Sequence, residues 1–191
     1  MWVHNGGVTE TLDLIARRFA CRAFTGEPVP HETLRLIAEA GLHAPSAFNR
    51  QPWRLIIVDD PATLGDLGDI GLANLKAHQP SSYERIMGRG GYLLYHAPAM
   101  IVIAREKVDS EFSADLDVGV MASHLAIAAA SLGVDSCVAA VPEAAFVGPD
   151  GAKRAREIGI PEGFEFGLSV LLGYAATKST PHEIDLTKII D

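Results

Sequence analysis

Two stretches of this chain concentrate side chains that can hold a ligand. Arg17, Arg18 and Arg22 fall within six positions of a protein carrying 16 lysines and arginines against 24 acidic residues, a formal net charge of -8. Guanidinium forks match phosphate oxygens, so the cluster can be an anion site. It can equally be a set of cations near a helix C-terminus, stabilised there by about 0.3–1 kcal/mol with no ligand at all. The second stretch is Ala44-Pro45-Ser46-Ala47-Phe48-Asn49-Arg50-Gln51-Pro52-Trp53. Pro45 and Pro52 can fix a turn, Ser46 and Asn49 can cap backbone groups, and Trp53 can pack inward. The same Ser, Asn and Gln side chains, preset between two prolines, also form an array able to read a polyhydroxylated chain or a ring edge.

Other common site chemistries have no counterpart in the sequence. The seven histidines form no His-Glu-x-x-His pair and no Cys/His cluster, so no metal site is expected. There is neither a Gly-x-x-x-x-Gly-Lys-Ser/Thr loop nor a Gly-x-Ser-x-Gly turn. Gly65, Gly68 and Gly71 lack the strand-then-helix setting of a dinucleotide fingerprint and read as glycines that loosen a helix. Cys21 and Cys137 stand in no paired spacing and are expected to be reduced and structural. The negative charge disfavours nucleic acid and anionic membranes, leaving a small molecule as the expected partner. Met1 to Val8 lacks a basic start followed by an apolar run, so a cytoplasmic location is expected. The most apolar segment, Val118 to Leu132, is shorter than the ~20 residues that cross a bilayer and contains Ser123, His124 and Ser131.

These groups need elements to position them, and 191 residues with 48% hydrophobic content suit a single domain. Leu12, Ile15, Ala16 and Phe19 recur at helical spacing, predicting an amphipathic helix from about Thr9 to Ala20. A second helix is expected after Pro30, with Leu34, Ile37, Ala38 and Gly41-Leu42 on one face, ending before Ala44-Pro45. Arg54 to Val58 reads as a strand, Ala62 to Leu75 as a helix and Met100 to Ala104 as a second strand. Between them, Lys76 to Pro98 reads as partly helical and mobile. Phe112 to Leu132 is the longest helix, closed by Gly133. Its apolar residues crowd several faces, which suggests burial partly by a second subunit. Cys137 to Val141 and Phe166 to Gly173 are further strand candidates, separated by a short helix near Ala152 to Ile158. The order predicts an α+β fold in which helices cover a small sheet.

One resemblance bears on the two ligand-holding stretches together. Arg18-x-x-x-Arg22-x-Phe24 with Pro28-Val29-Pro30, followed by Ala44-Pro45-Ser46-x-x-Asn49-x-Gln51-Pro52-Trp53, resembles the N-terminal signature of the nitroreductase family in both order and spacing. The likeness continues through Ala97-Pro98-Ala99-Met100-Ile101-Val102, the Ala-rich helix, Leu132-Gly133-Val134-Asp135-Ser136-Cys137, Ile158-Gly159-Ile160-Pro161 and Leu172-Gly173-Tyr174. It covers nearly the whole chain. The resemblance implies a mainly antiparallel sheet covered by helices, with a long central helix at the interface of a homodimer that binds FMN between its subunits. By matching positions, Arg18 and Arg22 would hold the FMN phosphate and ribityl chain, with the backbone of Phe19 and Ala20 alongside. Pro45, Ser46, Ala47 and Asn49 would line the flavin of the partner subunit, and Gln51 would brace the loop or reach the ribityl hydroxyls. Lys178-Ser179 resembles the basic segment that closes over the phosphate, and backbone amides around Ala140 would face the flavin edge. Relatives often carry a basic or polar residue at the place of Phe19, Ser at that of Ala20 and Arg at that of Thr180. The phosphate grip here is therefore expected to rest on Arg18, Arg22 and Lys178.

The flavin would then carry the chemistry, with no catalytic side chain, while the protein supplies position and electrostatics. NADH or NADPH would donate hydride, and an electron-poor acceptor such as a nitroaromatic or quinone would receive electrons in a ping-pong scheme. Tyr83, Arg85, Arg89 and Tyr92 are candidate residues of the acceptor pocket, or ordinary residues of that segment. The alternatives are a flavin-dependent dehydrogenase or flavin-consuming enzyme on the same scaffold, an FMN-binding protein without turnover, and a non-flavin structural dimer.

Overall fold

The computed structural model describes residues 10–107 and 114–190. The expected helix start at Thr9, the reading of Met1 to Val8 and the expected helix start at Phe112 lie outside the described residues. In chain order the elements are α1 (Glu10–Arg17), α2 (His31–Gly41), β1 (Trp53–Val58), α3 (Pro61–His78), α4 (Pro80–Met87), β2 (Ala99–Glu106), α5 (Ala114–Ser131), β3 (Asp135–Ala139), α6 (Gly151–Glu157) and β4 (Phe164–Gly173), with short 3-10 turns at Ala47–Asn49, Val141–Phe146 and Leu186–Lys188. The four strands form one sheet in the order β1-β2-β4-β3, and each neighbouring pair is antiparallel. This is an α+β fold with helices on both faces of a small antiparallel sheet.

β2 divides the core. Successive side chains of a strand point to opposite faces, so Met100, Val102 and Ala104 join Leu64, Leu67 and Leu75 of α3 on one side. Ala99, Ile101 and Ile103 meet Leu34 and Ile37 of α2 and Met121 and Leu125 of α5 on the other. The alternation explains why β2 reads as one continuous apolar run. α5 presents its sheet side to this core, but Leu116 is 74% and Val120 38% exposed on its outer face. An apolar stripe of the long helix is therefore uncovered within one chain.

Two segments differ from their sequence-based expectation. The first helix stops at Arg17 and does not continue to Ala20, because the backbone there bonds to the sheet. Ala20 bridges Ser136 in parallel, and the Cys21 N–H donates to the Ser136 carbonyl at 2.9 Å. Arg18 and Arg22 consequently leave an extended strand-like segment, not successive turns of a helix. In the stretch from Lys76 to Pro98, α3 runs on to His78 and Pro80 opens α4, since proline suits a first helical position. Leu93, Leu94 and Tyr95 are buried in the core beneath α3, so this part is packed structure and not a loose loop.

The crossing of the 20–25 segment over the end of the sheet depends on Gly173. A Cβ at Gly173 would stand 2.6 Å from Pro98 Cδ and 2.8 Å from Phe24 Cδ1, both rigid neighbours. Gly65 of α3, by contrast, has nothing within 4 Å of the same atom. Gly173→Ala is expected to lower stability by about 1–3 kcal/mol through overpacking. Gly65→Ala should be neutral or raise it by up to about 1 kcal/mol through helix propensity. Chemical denaturation of the two variants checks the contrast, and equal midpoints would contradict it.

Candidate functional site

The arginine segment is fixed by backbone bonds to the same end of the sheet as the chain after β4. The Thr25 N–H donates to the Tyr174 carbonyl, the Ala176 N–H to the Ala23 carbonyl, and the Ala175 N–H to Asp135 Oδ2, each at 2.9 Å. Together these bonds bring Arg18 and Phe19 beside Lys178 and Ser179, around a cavity of about 260 Å³ that Asp135 and Ser136 of β3 also line. The grouping of Arg18 with Lys178 and Ser179 is the one the family resemblance implied, whereas Arg22 is not among the residues lining this cavity. Arg17 is engaged by Asp13 at 3.0 Å, one turn away on α1. No carboxylate among the described residues pairs with Arg18, Arg22 or Lys178. In an acidic protein, cations left without internal partners at a cavity form a site suited to an oxyanion.

The buried thiols report the same field. Burial pushes Cys137 of β3 above the ordinary thiol range, while the charges of Arg22, Arg18 and Arg89 pull it down. Cys21 is raised by burial, against a bond to the Ala23 carbonyl, with Asp135 and Cys137 adding to the rise. Both cysteines are free and buried. The net shift keeps each a neutral thiol around neutral pH, which suits structural cysteines.

The loop between α2 and β1 holds an unusual backbone. Phe48, Asn49 and Gln51 adopt φ of 51°, 54° and 50°, a left-handed region that costs a non-glycine residue of order 1–3 kcal/mol. Several bonds hold it. Ser46 Oγ accepts from the Gln51 N–H at 3.0 Å, Asn49 Oδ1 accepts from Gln51 Nε2 at 2.9 Å, and the Asn49 N–H donates to the Ser46 carbonyl at 3.0 Å. Arg50 pairs with Glu106 at 3.3 Å, and Trp53 is buried at the loop's end. The remaining tie comes from α5, where Asp117 Oδ1 accepts from the Ala47 N–H at 3.0 Å. Asp117 is a buried acid on an otherwise apolar helix face and was not singled out from sequence. Its one sequence signal was an acidic residue in the first turn of the most apolar helix.

The two ligand-holding stretches do not meet within one chain. The cavity at Arg18 and Lys178 contains none of Pro45, Ser46, Ala47, Asn49 or Gln51. Asn49 and Gln51 instead border a separate cavity of about 720 Å³ with Trp53 and Arg54. Ala140 stands just past the end of β3, beside Arg85, Arg89 and Tyr95 around a third cavity of about 370 Å³. Tyr83 is half-buried against the core and its ring lies 5.9 Å from Lys76 Nζ. Tyr92 packs against His96, with ring centroids 3.6 Å apart, and lines a different cavity beside α3. Tyr95, absent from the sequence-based set, is the tyrosine that borders the Ala140 cavity. Among the described residues no group of three or more His, Cys, Asp or Glu is placed to hold a metal, and no helix is long and apolar enough to cross a membrane.

Fold and site together define a protein class. The nitroreductase family model matches residues 15–174, and the chain belongs to that family. It is 41% identical to a nitroreductase with bound FMN from Desulfitobacterium hafniense, with a TM-score of 0.92 over 97% of this chain and 99% of that one. A protein of Archaeoglobus fulgidus named for NADH dehydrogenase or NAD(P)H nitroreductase activity is 27% identical over 180 residues, 92% of this chain and 91% of that protein. A Thermus thermophilus NADH dehydrogenase is 53% identical over 47 residues, which span only 23% of that protein's length.

Asp117→Ala is expected to destabilise the fold by about 1–3 kcal/mol by removing the acceptor of the Ala47 amide. Asp117→Asn retains a side-chain carbonyl and should lose less. Urea unfolding of both variants tests the tie, and an unchanged stability of Asp117→Ala would contradict it.

Proposed function

We propose that the chain is an FMN-dependent oxidoreductase that works as a homodimer, with residues 1–191 forming a single flavin-binding domain. The observation that carries the reading is the meeting of Arg18 and Lys178 at one cavity, with Arg22 four residues further on, none of the three paired with a carboxylate among the described residues of a net-negative protein. The family relationship and the FMN bound by the Desulfitobacterium protein support it.

Arg18 and Arg22 hold the FMN phosphate by charge-assisted hydrogen bonds, with Lys178 adding charge from the far end of the chain. The backbone of Phe19 and Ala20, already tied to β3, passes beside the ribityl chain. Pro45, Ser46, Ala47 and Asn49 reach the flavin from the partner subunit, with Gln51 bracing the loop. The separation of this loop from the arginines within one chain, and the exposed Leu116 and Val120 on α5, support the dimer. Backbone amides near Ala140 face the ring edge, where fixed donors favour negative charge. When bound, FMN supplies hydride exchange in a ping-pong cycle from NADH or NADPH to a nitroaromatic or quinone. A nitro group takes up two electrons and two protons to give the nitroso compound and water. Tyr83, Arg85, Arg89 and Tyr92 belong to the segment that shapes acceptor access. The negative charge supports a small molecule, and neither nucleic acid nor an anionic membrane, as the partner, and the expected location is the cytoplasm.

The visible spectrum of the purified protein tests this reading. A flavin band that NADH or NADPH bleaches without oxygen, and that a quinone restores, is the expected result. A protein that takes up no flavin from excess FMN would overturn it.

A further inference from the structure

Two arginines outside the proposed phosphate grip line the cavity beside Ala140. Arg85, in the last turn of α4, and Arg89, just beyond it, line this space of about 370 Å³ together with Ala140, Val141 and Tyr95. That volume lies within the roughly 300–1,000 Å³ typical of small-ligand sites. Arg85 Nη2 donates to Ser82 Oγ at 3.0 Å, a neutral partner. Glu143 also borders the cavity, yet no carboxylate among the described residues pairs with either arginine. The dipole of α4 stabilises a cation in its last turn without a ligand, which accounts for Arg85 alone. Arg89 lies past the helix end, and its charge reaches Cys137 of β3 together with those of Arg22 and Arg18. Ala140 directly follows β3, whose first residues Asp135 and Ser136 line the Arg18-Lys178 cavity, so the two cavities lie at the two ends of that strand.

We infer that Arg85 and Arg89 select an electron acceptor bearing a carboxylate, which their guanidinium forks hold while its electron-poor ring lies toward Ala140 and Val141. The inference rests on the flavin reading above and adds the class of acceptor. Two forked donors match a carboxylate better than any neutral substituent. A nitroaromatic acid and its uncharged amide therefore part company at this site, and comparing their ratio between variants cancels the difference in how readily the two rings take electrons. The same anionic chemistry could reside on the donor, in the extra phosphate of NADPH.

Steady-state kcat/KM for 4-nitrobenzoate and 4-nitrobenzamide, measured on the flavin-loaded protein, separates these cases. The wild type should prefer the acid. Arg85→Gln and Arg89→Gln should each lower the acid-to-amide ratio about ten- to a hundredfold, and Arg85→Lys should restore part of it. An unchanged ratio in both glutamine variants overturns the inference. A fall in the NADPH-to-NADH ratio with the acid-to-amide ratio intact overturns it as well, and assigns the arginines to the donor's phosphate. Failure to bind FMN would instead strike the flavin reading. Calorimetric titration of 4-nitrobenzoate into the wild type and Arg85→Gln then reads the arginine site directly, and equal affinities would overturn it.

Discussion

The bond from the Cys21 amide to the Ser136 carbonyl ends one element and begins the site. A helix that continued through Arg22 would set Arg18 and Arg22 one turn apart on a single helical face. Because the backbone pairs with β3 instead, the segment runs extended along the sheet edge and meets the chain leaving β4. Two further backbone bonds, from the Thr25 and Ala176 N–H groups, join the two segments, and the Asp135 side chain accepts from the Ala175 N–H. The consequence is electrostatic. Arg18 and Lys178 meet at one cavity and, among the described residues, form no ion pair with a carboxylate, in a protein whose net charge would otherwise repel an anion.

The second half of the site stores strain. Phe48, Asn49 and Gln51 in left-handed backbone conformations are costly, and the cost is offset by bonds from Ser46, Asn49 and the buried Asp117. Asp117 couples the loop to α5, the helix whose outer apolar stripe is left open. Loop geometry and the uncovered helix face are thus mechanically linked. Packing a second subunit against α5 would act on the same helix that holds the loop. This linkage is consistent with the proposed site, in which the loop of one protomer would complete the arginine site of another.

Much of this was legible in the sequence because periodicity and local chemistry agreed. β2 was readable from its apolar run, α2 from Leu34, Ile37 and Ala38, and the loop from its two prolines. The end of α1 was not, since Phe19 continues the helical period while the sheet competes for the same backbone. Asp117 was hidden within an apolar helix, where one acid reads as a first-turn charge. Tyr95 escaped notice because its segment lacks a period, although its burial makes it part of the cavity wall. The meeting of Arg18 with Lys178 at one cavity joins residues 160 positions apart, which no local pattern shows and which the family resemblance alone implied.

The central claim is that the unpaired cations grip a phosphate, and comparing FMN with riboflavin tests it most directly. The two ligands share ring and ribityl chain and differ only in that group. Calorimetric titration of the flavin-free protein should give FMN an affinity at least about a hundredfold higher than riboflavin, as two or more charge-assisted bonds imply. Equal affinities would contradict the account and leave Arg18, Arg22 and Lys178 as surface charge without a ligand.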